Sequence, residues 1–179
     1  MPSSREAPLT PPPPQIQPVT LNRSITDNTP LDPPLPPHIQ PPFYGGLVVN
    51  TLVGRTGAAQ IVELAVDDAD VTGYAAFEHG RLARAVFVNL HAWLASSTGA
   101  RPAVHIGLHL DFGNHTARGA TAAARRLVID HADDTANLTW GGLSYETADV
   151  RPVGSPAVET VVLSAGVDLR STEAILLEF

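Results

Sequence analysis

Cysteine and lysine are both absent from the 179 residues. Without thiols there is no disulfide, no thiolate nucleophile and no cysteine-ligated zinc, and without lysine there is no Schiff base. Aromatic residues are scarce at 6%, and charged residues make up 16% against 44% hydrophobic, the balance of a globular chain able to bury one core. The eleven basic residues are all arginine and scattered, in a chain of net charge −7 and pI near 5.3. No basic stripe exists to neutralise a phosphate backbone, and nucleic acid is not expected as a partner. No run of about 18 apolar residues occurs, and the N-terminus lacks the apolar core of a signal peptide. The chain is expected neither to span a membrane nor to be exported as written, and its compartment is left open. Also missing are GxSxG, the P-loop and GxGxxG, so nucleophile-elbow and phosphate-cradle chemistries have no support and no cofactor is implied.

What is there is unevenly spread. Fourteen of the seventeen prolines precede Phe43. Each proline lacks an N–H and pushes its predecessor toward extended geometry, so residues 1–41 are expected to be polyproline-like or disordered. The "PPLPP" within them carries the PxxP spacing of SH3 and WW ligands, but a spacer or a mistranslated upstream stretch is the commoner reading of such a tract. Residues 42–57, "PFYGGLVVNTLVGRTG", open on proline and end on Gly54 and Gly57, start and stop signals of a helix. Phe43, Leu47, Val48, Thr51 and Leu52 make one stripe on it. Gly45 and Gly46 weaken such a helix by about 1 kcal/mol each relative to alanine, so it needs a surface to pack on.

From residue 58 to 179 the period shortens. Strand candidates are 58–66, 71–79, 81–93, 102–112, 124–130, 137–146, 159–166 and 173–179. These strands, with turn signals between them, predict an all-β antiparallel sandwich of about eight strands, preceded by the proline-rich segment and one short helix. Val104, Ile106, Leu108 and Leu110 alternate with His105, Gly107 and His109, as in a strand buried on one face. "LARAVFVNL" (82–90) is apolar nearly throughout, as in a central strand covered on both sides.

Several constellations invite a chemical reading. Glu78 and His79 stand side by side before Gly80; a hairpin tip explains every residue there, whereas a catalytic pair needs a cleft that shifts pKa values. Seven histidines suggest a metal, but His105 and His109 on one strand lie about 13 Å apart and cannot share an ion. His91 could approach one of them as a cross-strand pair, and no metal site is assigned. Asp130–Asn137 is acidic but lacks the glycine and glutamate of a helix-loop-helix calcium loop, and reads as a solvated connection. Trp140 and Tyr145 frame "TWGGLSY" as a core tryptophan beside a glycine bulge or, alternatively, as a stacking platform for carbohydrate. Asn22, Asn114 and Asn137 each begin an Asn-x-Ser/Thr glycosylation sequon.

The succession "PPFYGGLVVNTLVG", "GYAAFEHGRLARAVFVNLHAW", "ARRLVIDHADDTANLTWGGLSYE" and "STEAILLEF" resembles the C-terminal region of glycoside hydrolase family 79, the β-glucuronidases and heparanase-like enzymes, over roughly residues 38–179. Its most specific pieces are Tyr74, Glu78, Gly80, Leu82, Arg84, Val86 and Asn89 in the hairpin, and "TWGGLSYE". In that family a catalytic (β/α)8 barrel is followed by a β-sandwich packed on its side. The resemblance implies that 42–57 is the barrel's last helix and linker, and that 58–179 is the sandwich. It implies a structural role, with the barrel as partner and the helix stripe facing it. The family's two catalytic glutamates sit on barrel strands, and nothing here matches them. A barrel takes about 250 residues, so the chain is expected to be an isolated or truncated, non-catalytic domain. An independent carbohydrate- or protein-binding sandwich module is the alternative.

Overall fold

The C-terminal "AILLE" is the most buried strand of the molecule, and the architecture follows from covering it. A computed structural model describes residues 19–20, 38–39, 41–108, 120–147 and 149–179. In chain order the elements are β1 (Val19–Thr20), β2 (His38–Ile39), helix α1 (Pro41–Val53), β3 (Gln60–Leu64), β4 (Val71–Glu78), β5 (Arg81–Asn89), β6 (Ala103–Ile106), β7 (Thr121–Val128), β8 (Thr139–Trp140), β9 (Leu143–Ser144), β10 (Val153–Gly154), β11 (Glu159–Val162), β12 (Val167–Arg170) and β13 (Ala174–Glu178), with a 3-10 turn at Leu163–Ala165. β1 and β2 pair with each other inside the proline-rich tract; the remainder of its first 40 residues lies outside the described residues.

One antiparallel sheet runs β10-β9-β8-β7-β13-β5-β4-β3, with β11 beside β8 on the same edge of β7. β12 and β6 form a separate pair. Successive side chains of a strand point to opposite faces, and the two faces of the large sheet are both apolar. Ile175, Leu177, Ala85 and Phe87 face β6 and β12, joining Ile106, Val167 and Leu169 in one core. Leu176, Val86 and Ala76 face the other way, into a second core with Tyr44, Val48 and Leu52 of α1 and with Leu138 and Trp140. The result is a β-sandwich whose outer sheet face is roofed by a helix.

Two expectations change here. The helix stripe does not face outward: α1 docks on the sheet through Tyr44, Val48 and Leu52, which are buried, while Phe43, Leu47 and Thr51 are half-buried. The 137–146 candidate is two short strands joined through Gly141 and Gly142, both at positive φ. That makes it a tight hairpin turn and not a bulge. β10 is only two residues long and β12, although it alternates, only four, and neither was anticipated. β5 is central as expected, sharing that position with β13.

The same substitution at two leucines separates burial from composition. Leu176 is fully buried and Leu90 is 64% exposed. Leu176→Ala is expected to destabilise by about 2–5 kcal/mol and Leu90→Ala by no more than about 0.5 kcal/mol, read as shifts in the urea midpoint. Equal losses would contradict the two-faced core.

Candidate functional site

The richest polar arrangement lies where α1 meets the sheet. The tight turn His79-Gly80, both residues at positive φ, reverses the chain between β4 and β5 and sets Glu78 opposite Arg81. Behind it, Arg84 on β5 turns its half-buried side chain toward the end of the helix. Its Nε donates to the Leu52 carbonyl at 2.7 Å and its Nη2 to the Val53 carbonyl at 3.3 Å. The same Nη2 is ion-paired with Glu78. Helix C-termini leave carbonyls without partners and carry partial negative charge, so a guanidinium there is both hydrogen-bond donor and countercharge. Gly54 then ends the helix at φ 75°, its N–H bonded to the Asn50 carbonyl at 3.0 Å. A Cβ there would stand 2.5 Å from Arg84 Nη2, so any other residue would strain the backbone at this φ and push the guanidinium aside.

Tyr44 pins the other end. Its hydroxyl donates to the Leu138 carbonyl at 2.9 Å and accepts from the Tyr145 N–H at 3.0 Å, satisfying backbone groups of the β8–β9 region. Phe43, Tyr44 and Tyr145 stack as an aromatic trio with centroids 5.4–6.1 Å apart, the edge and tilted geometries favoured by ring quadrupoles. Glu146 completes the corner by accepting the N–H groups of Asn137 and Leu138 at 2.8 and 2.9 Å.

These positions decide how the anticipated residues stand. Trp140 is 5% exposed and packs in the helix-side core, so its ring offers no face to a sugar; Tyr145 is half-buried in the aromatic trio. The structure brings the two together as packing groups. Asn137 is exposed in a loop at φ 70°, while Asn22 and Asn114 lie outside the described residues. His105 Nδ1 is 2.7 Å from Asp168 Oδ1 on the neighbouring strand, and His91 Nδ1 is 3.0 Å from Ser171 Oγ. His109 lies outside the described residues, and among those described no three His, Asp or Glu side chains converge. In the acidic loop, Asp133 accepts the Ala95 N–H and Asp134 the His131 N–H, so these carboxylates order the connection.

One anticipated equivalence does not hold. Glu78 and His79 were both expected to be exposed tip residues, but only His79 is; Glu78 belongs to the helix clamp. Tyr44 and Arg84 went unrecognised as the residues that fix the helix. Arg84 did leave a signal, a lone cation inside the apolar run "LARAVFVNL".

Chemically the arrangement holds a helix on a sheet, in a protein of the β-sandwich class. The family model described as the glycosyl hydrolase family 79 C-terminal beta domain matches residues 73–176. The chain belongs to that family. Among solved structures it is similar to a 4-O-α-L-rhamnosyl-β-D-glucuronidase from Fusarium oxysporum 12S, solved as its Rha-GlcA complex, at 22% identity and a TM-score of 0.61. That likeness spans 79% of this chain and 30% of the glucuronidase chain, and at this identity it shows the fold alone. No curated protein matches the sequence.

The hydrogen bond from Arg84, and behind it the hydroxyl of Thr56, holds the Glu78 carboxyl below its ordinary pKa of 4.5. A folded-state pKa that is depressed adds stability above the ordinary carboxylate range, and that stability is lost as pH falls through the lowered value. Glu78→Gln is therefore expected to lower the thermal midpoint at neutral pH and to match the parent protein in strong acid. A midpoint difference that stays constant with pH would contradict the clamp.

Proposed function

We propose that this chain is the non-catalytic, stabilising β-sandwich of a β-glucuronidase-like glycoside hydrolase, and that its working partner is a (β/α)8 catalytic barrel. The observation that carries the reading is the family match across 73–176. The glucuronidase of similar fold supports it, since the likeness takes in less than a third of that longer chain.

Four glutamates are consistent with a structural role. Glycoside hydrolysis requires two carboxyl groups flanking a sugar, about 5–5.5 Å apart for retention or about 6.5–9.5 Å for inversion, one of them kept protonated as the acid. Glu78 is held ionised by Arg84, the opposite of what a general acid needs. Glu159 pairs with Arg126 at 2.6 Å and Glu178 with Arg125 at 3.2 Å, and Glu146 caps backbone N–H groups. These acids hold strands and turns together.

The test is release of p-nitrophenol from its β-glucuronide by the purified chain, from acid to neutral pH. No turnover above background is expected. Turnover that survives purification and disappears on a single Glu→Gln or Asp→Asn substitution would overturn the non-catalytic reading.

A further inference from the structure

Sheets usually guard their edges, and the two ends of this one differ. At one end β10 is only two residues long, between Pro152 and Pro156, while β11 has four residues and its Glu159 is held by Arg126. At the other end stands β3, "QIVEL". It carries no proline and no cation, two common means of blunting an edge, and its one charge is the exposed Glu63. It pairs with β4 in unbroken register from Gln60↔Phe77 to Leu64↔Gly73, and among the described residues nothing pairs with its outer edge.

Both faces of β3 are partly exposed as well, although Leu64 packs on the interior core. Ile61 sits opposite Ala76 on the helix-bearing face and is 43% exposed; Val62 sits opposite Ala75 on the interior face and is 50% exposed. A backbone edge left unpaired by the described residues, with an exposed β-branched side chain on each face, is a template for another strand.

We propose that the occupant is a second copy of this chain, paired antiparallel along β3 with Val62 on the two-fold axis. Antiparallel pairing about such an axis is isologous and closes after two copies. In this register Ile61 meets Glu63 of the other copy and Gln60 meets Leu64, so no like charges stand opposite each other. The flanks are complementary too. Exposed Arg55 precedes the strand, and Asp67, Asp68 and Asp70 follow it, Asp67 and Asp70 exposed. Antiparallel pairing brings the arginine of each copy toward the acidic turn of the other. A single pair of five-residue strands is smaller than a standard interface, so the dimer is weak, and its charged flanks make it weaker in high salt.

Sedimentation equilibrium on the full chain, from about 10 µM to about 1 mM, tests this. The average mass should rise from the monomer's 18.9 kDa toward twice that value. Val62→Lys places two ammonium groups face to face on the axis and should raise Kd at least about tenfold; Arg55→Glu should raise it less, and only at low salt. Val62 is half exposed, so Val62→Lys should fold, which circular dichroism checks directly. Hydrogen exchange should show Gln60–Leu64 gaining protection with concentration. A chain that stays monomeric throughout, or a folded Val62→Lys variant that associates as the parent does, would overturn the proposal.

Discussion

A sheet whose central strands are apolar on both faces has to be covered twice. β13 places four consecutive buried residues, Ala174 to Leu177, between β5 and β7, and no polar face remains to meet water. On one side Ile175 and Leu177 require the β6–β12 pair; on the other Leu176 requires α1 and the β8–β9 corner. Burial of this kind stabilises by about 25 cal/mol per Å² of apolar surface, and removing either cover would expose a whole layer. The helix is therefore part of the sandwich, although it precedes the first strand of the large sheet.

Apolar contact fixes how much the helix buries, and polar contacts fix where it sits. A helix with an adjacent Gly45-Gly46 pair and mostly small aliphatic side chains after it could slide on a flat sheet. Tyr44 stops that at its N-terminal end by bonding the backbone at Leu138 and Tyr145, and Arg84 stops it at the C-terminal end by holding the Leu52 and Val53 carbonyls. A half-buried guanidinium would be unfavourable alone, since removing a charge from water costs several kcal/mol. Glu78 and two helix carbonyls surround this one and offset that loss.

Much of the sandwich was legible in the chain. Alternation in "AVHIGLHL" located one inner strand, the nearly continuous apolar run of β5 announced a strand covered on both faces, and Gly80 marked the hairpin. The helix was legible as a helix but its buried face was not. Phe43, Leu47 and Thr51 form one i, i+4 row and Tyr44, Val48 and Leu52 the next. Both rows are apolar enough that periodicity cannot choose between them, and only the hydroxyl partners of Tyr44 decide it. β12 was missed because "VDLR" is too short to carry a period. Glu78 was misjudged because its partner lies six residues on, across the turn, and that partner's real task is at a helix end 32 residues back. The Trp140 and Tyr145 pair was ambiguous for a similar reason, since a core tryptophan and a sugar platform share the same residue types and differ only in burial.

The claim on which the rest stands is that α1 is integral to this domain's core. Residue-resolved hydrogen exchange of the dilute, monomeric chain tests it most directly. The account predicts that the amides of Leu47–Leu52 exchange slowly, with protection on the scale of β13, because both belong to one cooperative core. Rapid exchange across Leu47–Leu52 while β13 stays protected would mean that the helix merely rests on the sandwich, and the account would be wrong.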